Sequence, residues 1–381
     1  MNPALKPSSE NTISSSEDDP PDSLILKNKI PKIKLEEPLG KEDKSSFSPT
    51  ELPKEVKVRK RMKFSCDFAA ARVKEGGSFF VAKNIEIISE IEHCRKLWKE
   101  FSSQKTLFDT WEFRFAFYRA YGYKPYFLIL KENFKNIALL PLWYDETKKK
   151  YTWFGSNWQE EVRFFAKEPN YILALISAAP SSLYLNAIAK DSVEPIKNKI
   201  KFEYDDPKYV LNLEGLKNHE DYLMTLKKNR RRNLRKDRNR ILKQNPEIII
   251  NKFSDFNYLV QLSKKRFGER GMKTDWEDPR RIKAFEEVIK LGGKSYQTRM
   301  ITVKINKEIA GVDLICLLNN TYFTVKCGYA VKKFPGIGNF INLVEIDDAI
   351  KLGMKKIDFL QNNYGWKNQY FQSQPLFKFK K

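Results

Sequence analysis

The second half of the chain contains three strand-like runs that follow one another with almost no residues between them. The runs are Arg299–Ile305, Ile309–Leu318 and Tyr322–Cys327. Asn306-Lys307 and Asn319-Asn320 separate them, and short polar pairs of this kind are typical of hairpin turns. A helical pattern then ends at Leu352-Gly353, and a further apolar run covers Ile357–Leu360. This order predicts an antiparallel meander completed by a β-helix-β unit.

The first half has a similar order of elements without close sequence identity to the second. Its predicted helices and strands are Ile88–Phe101, Asp109–Tyr121, Tyr126–Leu130, Ile137–Trp143, Tyr151–Phe154, Tyr171–Ala178 and Leu183–Ile188, with a hairpin turn at Phe134–Asn136. Because a domain takes roughly 100–200 residues, the 381 residues suit two folded units. We therefore predict an α+β fold with mixed sheets and with domains at 84–215 and 216–381.

The first 60 residues differ from the rest in composition. They are rich in Ser, Pro, Lys and Glu, and they contain 11 basic and 11 acidic residues. This composition predicts a disordered tail at 1–60, in which Leu24–Leu35 is a candidate interaction motif. The formal net charge of +22 therefore comes entirely from residues 61–381. Such an excess indicates nucleic acid, a membrane surface or an anionic ligand as a partner.

Cysteine and histidine usage excludes several kinds of site. Cys66, Cys94, Cys316 and Cys327 form no paired motif, and the chain has only two histidines. We therefore expect no metal site, and neither histidine belongs to a nucleophile motif. No run approaches about 18 apolar residues, and the N-terminus lacks the apolar core of a secretory signal. We expect a cytoplasmic protein without a transmembrane segment.

A glycine-containing loop connects the meander to the following helix. Its sequence is Phe334-Pro335-Gly336-Ile337-Gly338-Asn339, and Lys332 and Lys333 precede it. Glycines let the backbone approach a ligand closely, and free N–H groups at a helix N-terminus bind phosphate. A plain strand-to-helix turn is the alternative, because neither the Walker nor the Rossmann pattern is complete.

Two further segments carry residues suited to chemistry. Asp313 interrupts an apolar strand, so it is either a general base, with Lys326 as its partner, or a hydrogen-bonded structural residue. The polar run 361–367 follows the last predicted strand and is either an active-site rim or a solvated loop. Lys367 in this run is a candidate for stabilising an oxyanion or a phosphate.

One segment concentrates the positive charge. Lys227–Lys243 contains ten basic residues and one acidic residue. Leucine and isoleucine recur in it on one helical face, which predicts an amphipathic helix packed on a domain. Its basic face is either solvated, in contact with an anionic donor or acceptor, or bound to RNA.

Taken in order, these features resemble the GNAT-type acyltransferase fold. They resemble in particular the cellulose-biosynthesis-protein-like (CelD-like) acetyltransferases, which are kin to the FemABX peptidyltransferases. Pro335-Gly336, Asp358-Phe359-Leu360 and Lys367 match the pattern of that group, whereas Asn362 and Trp366 replace its usual glycine and tyrosine. Further matches are Phe108 with Trp111, Leu139-Leu140-Pro141-Leu142, Phe154-Gly155 and Arg266-Phe267.

The resemblance implies two GNAT-like domains in tandem and an N-acyltransferase that transfers groups other than aminoacyl groups. It implies acyl-CoA as donor, with its pyrophosphate on Gly336–Asn339 beside Lys332 and Lys333, and an amine as acceptor. Asp313 would take the amine proton, and Lys367 would assist electrostatically. The implied substrate-binding residues are Arg231, Arg235, Asn362, Tyr364 and Trp366. The alternatives are an aminoacyl-tRNA donor, as in the FemABX proteins, and a non-catalytic protein that binds RNA or another polyanion through the basic helix.

Overall fold

A computed structural model describes residues 31–36, 83–156 and 161–381. The helices are α1 (Ile91–Phe101), α2 (Trp111–Tyr121), α3 (Tyr171–Ala178), α4 (Lys190–Val193), α5 (His219–Thr225), α6 (Lys228–Leu242), α7 (Phe256–Gly268), α8 (Pro279–Leu291) and α9 (Ile337–Lys351). The strands up to β8 are β1 (Lys32–Leu35), β2 (Lys83–Ile88), β3 (Pro125–Glu132), β4 (Lys135–Asp145), β5 (Lys150–Trp153), β6 (Phe165–Ala166), β7 (Tyr184–Ala189) and β8 (Glu203–Asn212). The remaining strands are β9 (Glu247–Ile250), β10 (Gln297–Ile305), β11 (Glu308–Leu318), β12 (Thr321–Tyr329), β13 (Lys356–Gln361) and β14 (Gln372–Lys380).

Both halves of the chain run through the same series of elements. A strand and two helices precede three antiparallel strands, and a helix and a strand follow them. The first half uses β2, α1, α2, β3–β5, α3 and β7, and the second uses β9, α7, α8, β10–β12, α9 and β13. The predicted mixed α/β architecture in two similar halves is confirmed.

The two halves share one large sheet. Its order is β1-β9-β10-β11-β12-β13-β8-β14-β7, so β8 of the first half lies between β13 and β14 of the second. A second sheet has the order β2-β3-β4-β5, with β6 paired to β4. Because β8 pairs with β13 and β14, the predicted boundary near residue 215 falls just after a strand that belongs to the sheet of the second half.

The turns of the second-half meander form as the sequence predicts. Asn306, Lys307, Asn319 and Asn320 all have positive φ, which the two-residue hairpin turns require. In the first half, the turn lies at Asn133-Phe134, one residue earlier than predicted.

The structure also corrects the prediction for the segment before the first helix and for parts of the tail. Residues 83–88 form β2, and the helix starts only at Ile91, where Glu90 accepts hydrogen bonds from the backbone N–H groups of Glu92 and His93. In the predicted disordered tail, Lys32–Leu35 form a strand. Apart from this strand and its neighbours Pro31 and Glu36, the tail lies outside the described residues, and so does most of the Leu24–Leu35 motif.

Aromatic side chains join the two halves. The ring of Phe117 on α2 lies 5.6 Å from that of Phe285 on α8, and the ring of Phe108 lies 6.1 Å from that of Phe323 on β12. All four side chains are buried. Such pairs add about 0.5–1.5 kcal/mol each beyond the burial of their surface, so the halves are held as one body by packing as well as by the sheet. Among the described residues, no helix combines the length and apolar character needed to cross a bilayer.

Candidate active site

The parallel strands β12 and β13 pair over only part of their length. Thr321, Tyr322 and Phe323 pair with Lys356, Ile357 and Asp358, and the pairing then stops. Beyond this point β12 continues to Tyr329, whereas β13 is irregular at Leu360, where φ is 63°. Within the part of the chain that the structure describes, backbone pairing between the two strands ends there, so they separate and leave a gap beside the second half of β12.

The gap is open to solvent at Cys327. This residue lies on the unpaired half of β12 and is exposed, whereas Cys94 and Cys316 are buried. Surrounding atoms nevertheless crowd the thiol, and this burial raises the pKa of Cys327 to about 12. Solvent thus reaches Cys327, and its thiol stays protonated at neutral pH.

Asp313 lies beside this gap in a buried cluster of acidic groups. It is the cross-strand neighbour of Cys327, and the Tyr329 hydroxyl donates a hydrogen bond of 2.6 Å to its Oδ2. Glu345 on α9 is completely buried next to it. Among the described residues, no hydrogen bond of ordinary geometry reaches Asp313 Oδ1 or either carboxyl oxygen of Glu345.

Burial controls the protonation of this cluster. It raises the pKa of Asp313 to about 7, against the opposing effects of the Tyr329 hydroxyl and of the Arg266 guanidinium. Burial also raises the pKa of Glu345 well above its usual range, and the charge of Asp313 raises it further. At neutral pH Glu345 is therefore protonated and Asp313 is close to half ionised, which suits a general base.

The expected partnership of Asp313 with Lys326 is wrong. Lys326 pairs with Leu314, so its side chain points to the opposite face of the sheet. There its Nζ lies 2.5 Å from Asp275 and 4.8 Å from the centre of the Trp276 ring. Tyr329 is the residue that hydrogen-bonds to Asp313 instead.

The predicted phosphate loop is occupied by a side chain of the basic helix. Gly336 precedes α9 with φ 93°, and a Cβ placed on it would lie 2.8 Å from the side chain of Asp237. Asn339 Nδ2 donates a hydrogen bond of 2.7 Å to Asp237 Oδ2. A carboxylate thus lies at the positive end of the α9 dipole, where phosphate was expected.

The other loop residues lie around this contact. Ile337 is buried in the core, and Gly338 packs against the ring of Tyr329. Lys332 and Lys333 are both exposed, and Lys333 forms an ion pair with Glu308. Tyr329 therefore contacts both the loop and Asp313, which links the two predicted site regions physically.

The buried side chain of Lys367 binds backbone carbonyl groups at the end of β13. Its ammonium is buried and donates hydrogen bonds to the carbonyl oxygens of Phe359 and, at 2.7 Å, Gln361. It lies 5.5 Å from the centre of the Tyr364 ring. The side chain therefore fixes the strand end that borders the gap.

The three other predicted residues of this segment lie on its rim. Tyr364 is 68% exposed, and Asn362 takes a positive φ of 66°. Asparagine tolerates this conformation better than most residues other than glycine. Trp366 is partly buried, with its ring 5.9 Å from that of Phe371.

The basic helix α6 divides into a bound and an exposed side. Arg235 binds Glu220 at 2.9 Å, and Arg230 donates to the carbonyl of Gln369. Arg231 is half-buried. In contrast, the side chains of Lys228, Arg232 and Lys236 are exposed at spacings of four residues, and we call these three the exposed stripe. Arg235 thus ties α6 to α5, and the exposed stripe remains accessible to a polyanion.

Glu345 and Asp237 were not predicted as site residues. Asp237 is the one acid among ten bases in Lys227–Lys243, and Glu345 interrupts an apolar helix face. Each residue differs in charge or polarity from its neighbours in the sequence, and this difference was the one sequence signal that could have marked it as a site residue. The pairing between distant elements that gives them meaning was not visible in the sequence.

Residues 228–368 match the family model described as Acetyltransferase (GNAT) domain. The second half of the chain is therefore similar to a GNAT acetyltransferase domain. A search of curated proteins finds no match. The narrower similarity to CelD-like proteins stays a prediction.

Solved structures extend the likeness of fold to most of the chain. The crystal structure of FemX has a TM-score of 0.53 at 9% identity, over 78% of this chain and 97% of FemX. A conserved protein of unknown function from Bacteroides thetaiotaomicron has a TM-score of 0.53 at 12% identity, over 77% of this chain and 99% of its own. A tandem GNAT protein from the clavulanic acid biosynthesis pathway has a TM-score of 0.46 at 6% identity, over 78% and 98%. At 9% and 12% identity, the likeness to the first two structures is one of fold.

Proposed function

We propose that this protein is an N-acyltransferase of the GNAT type that works at the gap between β12 and β13. The observation that carries the proposal is the buried Asp313–Glu345 pair beside that gap, in the part of the chain that matches the GNAT domain. A carboxyl with a pKa raised to about 7 is suited to accept a proton at neutral pH.

The reaction is the acylation of an amine. The acceptor nitrogen attacks the carbonyl carbon of the acyl donor, and a C–N bond forms as the carbonyl oxygen becomes an oxyanion. The N–H groups of β12 beyond Phe323 that face the gap are suited to stabilise this oxyanion, because they have no β13 partner among the described residues. The ammonium proton passes to Asp313, directly or through a water molecule. The intermediate then collapses, the bond to the donor's leaving group breaks, and that group departs with a proton.

Lys367 is a positioning residue in this proposal. Because its ammonium binds backbone carbonyls at the end of β13, it maintains the width of the gap without touching the reacting atoms. Asn362, Tyr364 and Trp366 form the adjoining rim and are the proposed contacts of the acceptor.

We propose acyl-CoA as the donor, as the GNAT domain suggests. Its pyrophosphate would bind at Gly336–Asn339, with Lys332 and Lys333 beside it. For this to happen the Asp237 carboxylate must leave the α9 N-terminus, because it contacts Gly336 and Asn339. Two anionic groups do not share one such site.

An aminoacyl-tRNA donor is the second candidate. The contact between Asp237 and Asn339 favours it, since a donor held elsewhere needs no phosphate site at α9. The similarity of fold to FemX and the exposed stripe Lys228, Arg232 and Lys236 are consistent with it. Arg231 and Arg235 are further proposed contacts of an anionic substrate, although Arg235 also binds Glu220.

The first experiment measures acyl transfer from acetyl-CoA to a mixture of primary amines by mass spectrometry of the products. Asp313→Asn should lower the rate by about 10²–10⁴-fold, which is the usual contribution of a general base. Asp275→Asn is the matched control, because Asp275 lies on the opposite face of the sheet, and it should leave the rate unchanged. Equal rates for the wild type and for Asp313→Asn would refute the role of Asp313.

A second experiment separates the donors. Asp237→Asn keeps the shape of the side chain and removes its charge, so it should tighten acetyl-CoA binding if the pyrophosphate uses the α9 N-terminus. Unchanged binding, together with acylation from aminoacyl-tRNA, would favour the second candidate. A third possibility, a non-catalytic RNA-binding protein, predicts binding that weakens steeply with salt and no acyl product from either donor.

A further inference from the structure

Strand β13 contains a β-bulge where it borders the gap. Residues 358–361 of β13 lie against residues 208–210 of β8, so β13 has one residue more than its neighbour over this stretch. A bulge bends the strand that contains it and interrupts its pairing. The pairing of β13 with β12 ends at Asp358, where the bulge begins. The bulge therefore gives the physical reason why the two strands separate.

The carboxylate of Asp358 stabilises the bulge. Its Oδ1 accepts a hydrogen bond of 2.9 Å from the N–H group of Leu360, two residues further along the strand. Leu360 is buried and has a φ of 63°, a conformation that a leucine rarely adopts. The hydrogen bond satisfies the buried donor of this strained residue and offsets part of its cost. Asp358 thus stabilises the conformation in which β13 leaves β12.

The first half of the chain holds this carboxylate in place. Lys208 on β8 donates a hydrogen bond of 3.0 Å to Asp358 Oδ2, and its ammonium also binds Glu161. All three side chains are buried, and we call them the buried triad. Burial lowers the pKa of Lys208, but the two carboxylates outweigh burial and raise this pKa, so the ammonium is charged at neutral pH. Charge-assisted hydrogen bonds inside a protein are stronger than neutral ones, so Lys208 fixes Asp358 firmly.

The buried triad extends to the surface of the first half. Glu161 also binds Arg163 at 2.7 Å, and Arg163 binds Asp191 on α4 at 2.9 Å. Glu161 and Lys208 lie outside residues 228–368, the part that matches the GNAT domain, whereas Asp358 lies within it. A local backbone conformation in the second half therefore depends on charges that the first half supplies.

We propose that Asp358, held by Lys208 and Glu161, is a positioning residue that keeps the gap between β12 and β13 in the shape that admits the acyl donor. It acts through the backbone of Leu360 and not on the reacting atoms. The first half of the chain thereby takes part in donor binding. This inference rests on the proposed function, which locates the reaction at that gap.

The experiment compares two variants of the full chain that change the charges of the buried triad. Asp358→Asn removes the charge that Lys208 binds and keeps an oxygen for the N–H group of Leu360. Lys208→Met combined with Glu161→Gln removes one positive and one negative charge from the first half and leaves the sequence of β13 intact. This charge-balanced pair of substitutions avoids the large penalty of removing one buried partner alone.

Asp145→Asn is the matched control. Asp145 is as buried as Asp358 and likewise accepts a hydrogen bond, of 3.1 Å, from the N–H group two residues further along, but it lies at the end of β4 in the other sheet. Three quantities are measured: hydrogen exchange of the Leu360 amide, alkylation of the exposed Cys327 thiol by iodoacetamide, and kcat and KM for acetyl-CoA. The first two report the shape of the gap without any need for activity.

Both variants of the buried triad should speed exchange at Leu360 by about tenfold, the effect of losing one hydrogen bond, and should speed alkylation of Cys327. KM for acetyl-CoA should rise by about tenfold with little change in kcat, because the shape that binds the donor is then populated about a tenth of the time. The Asp145→Asn control should resemble the wild type in all three measurements.

A lower melting temperature with unchanged KM would overturn the proposal, because the buried triad would then only stabilise the fold. Wild-type values of exchange and alkylation in both variants would also overturn it. A wild type that acylates no amine would contradict the proposed function instead, and exchange and alkylation would still decide whether the buried triad shapes the gap.

Discussion

The pKa of Asp313 makes the stability of this protein depend on pH in a specific way. Burial raises that pKa from 3.8 to about 7, so the folded state favours the protonated carboxyl. A raised folded-state pKa gives a stabilisation that is fully present below about pH 4 and is lost as the pH rises through about 7. With about 1.36 kcal/mol per pKa unit, a shift of about three units amounts to about 4 kcal/mol above pH 8.

Asp313→Asn should therefore stabilise the protein at high pH. The amide does not ionise, and its oxygen still accepts the hydrogen bond from Tyr329. We expect equal free energies of unfolding for variant and wild type near pH 4, and an advantage of up to about 4 kcal/mol for the variant at pH 8–9. The measurement is urea denaturation followed by circular dichroism at several pH values.

Two further variants constrain the interpretation. Glu345→Gln should change stability in the same direction, because burial also raises the pKa of Glu345. Asp275→Asn should have the opposite effect at pH 8. Burial raises the pKa of Asp275, but the Lys326 ammonium, the Arg281 guanidinium and the hydrogen bonds from Lys326 and Thr274 together outweigh burial and lower this pKa. A loss of stability in Asp313→Asn that is the same at pH 5 and pH 8 would refute the reasoning, since it would show no penalty for the ionised carboxylate.

Three other predictions follow from contacts around the gap and the basic helix. Lys367→Met leaves buried carbonyls without their donor, so it should lower the free energy of unfolding by about 2–4 kcal/mol, as measured in urea. Gly336→Ala should lower the melting temperature, because alanine is strained at this positive φ and its Cβ would clash with Asp237. Adding Asp237→Gly to the same chain should recover only the part of the loss that comes from the clash. Burial opposes protonation of His219, but the hydrogen bond to Asp347 and the nearby Glu220 carboxylate together outweigh burial and raise the pKa of His219. His219→Gln should therefore cost more stability at pH 6 than at pH 9, as measured by pH-dependent denaturation.

Local sequence signals predicted most of the helices and strands of both halves. The meander was predictable because alternating apolar runs and Asn-containing turns determine hairpins within a few residues. The helix Tyr171–Ala178 was predicted with its observed bounds. β8 and β14 were not predicted, because Glu203–Asn212 carries acids and a proline whose strand conformation depends on pairing with β13 and β14. Such non-local pairing overrides local propensity.

The segments that make up the candidate site were identifiable in the sequence, whereas several of the contacts among them were not. The loop at Gly336 and the strand end at Asp358–Leu360 lie beside the gap, in agreement with their order in the sequence. The predicted partner of Asp313 was wrong. A bulge between Leu314 and Ile315 and the register of β11 on β12 decide which residue of β12 lies on the same face of the sheet as Asp313. A register is a property of two strands, and neither strand alone reveals it.

The contact between Asp237 and α9 bears on the donor through energies of modest size. A carboxylate at a helix N-terminus is stabilised by about 0.3–1 kcal/mol, and its hydrogen bond to the Asn339 amide adds about 1.5–3 kcal/mol. A pyrophosphate would have to displace this carboxylate, so the contact lowers the affinity for a CoA thioester by at most about 10²–10³-fold. A donor bound on α6 or at the end of β13 would lose no affinity through this contact. The helix that carries ten basic residues therefore also carries the one acid that, in the proposed function, would disfavour acyl-CoA relative to a donor held elsewhere.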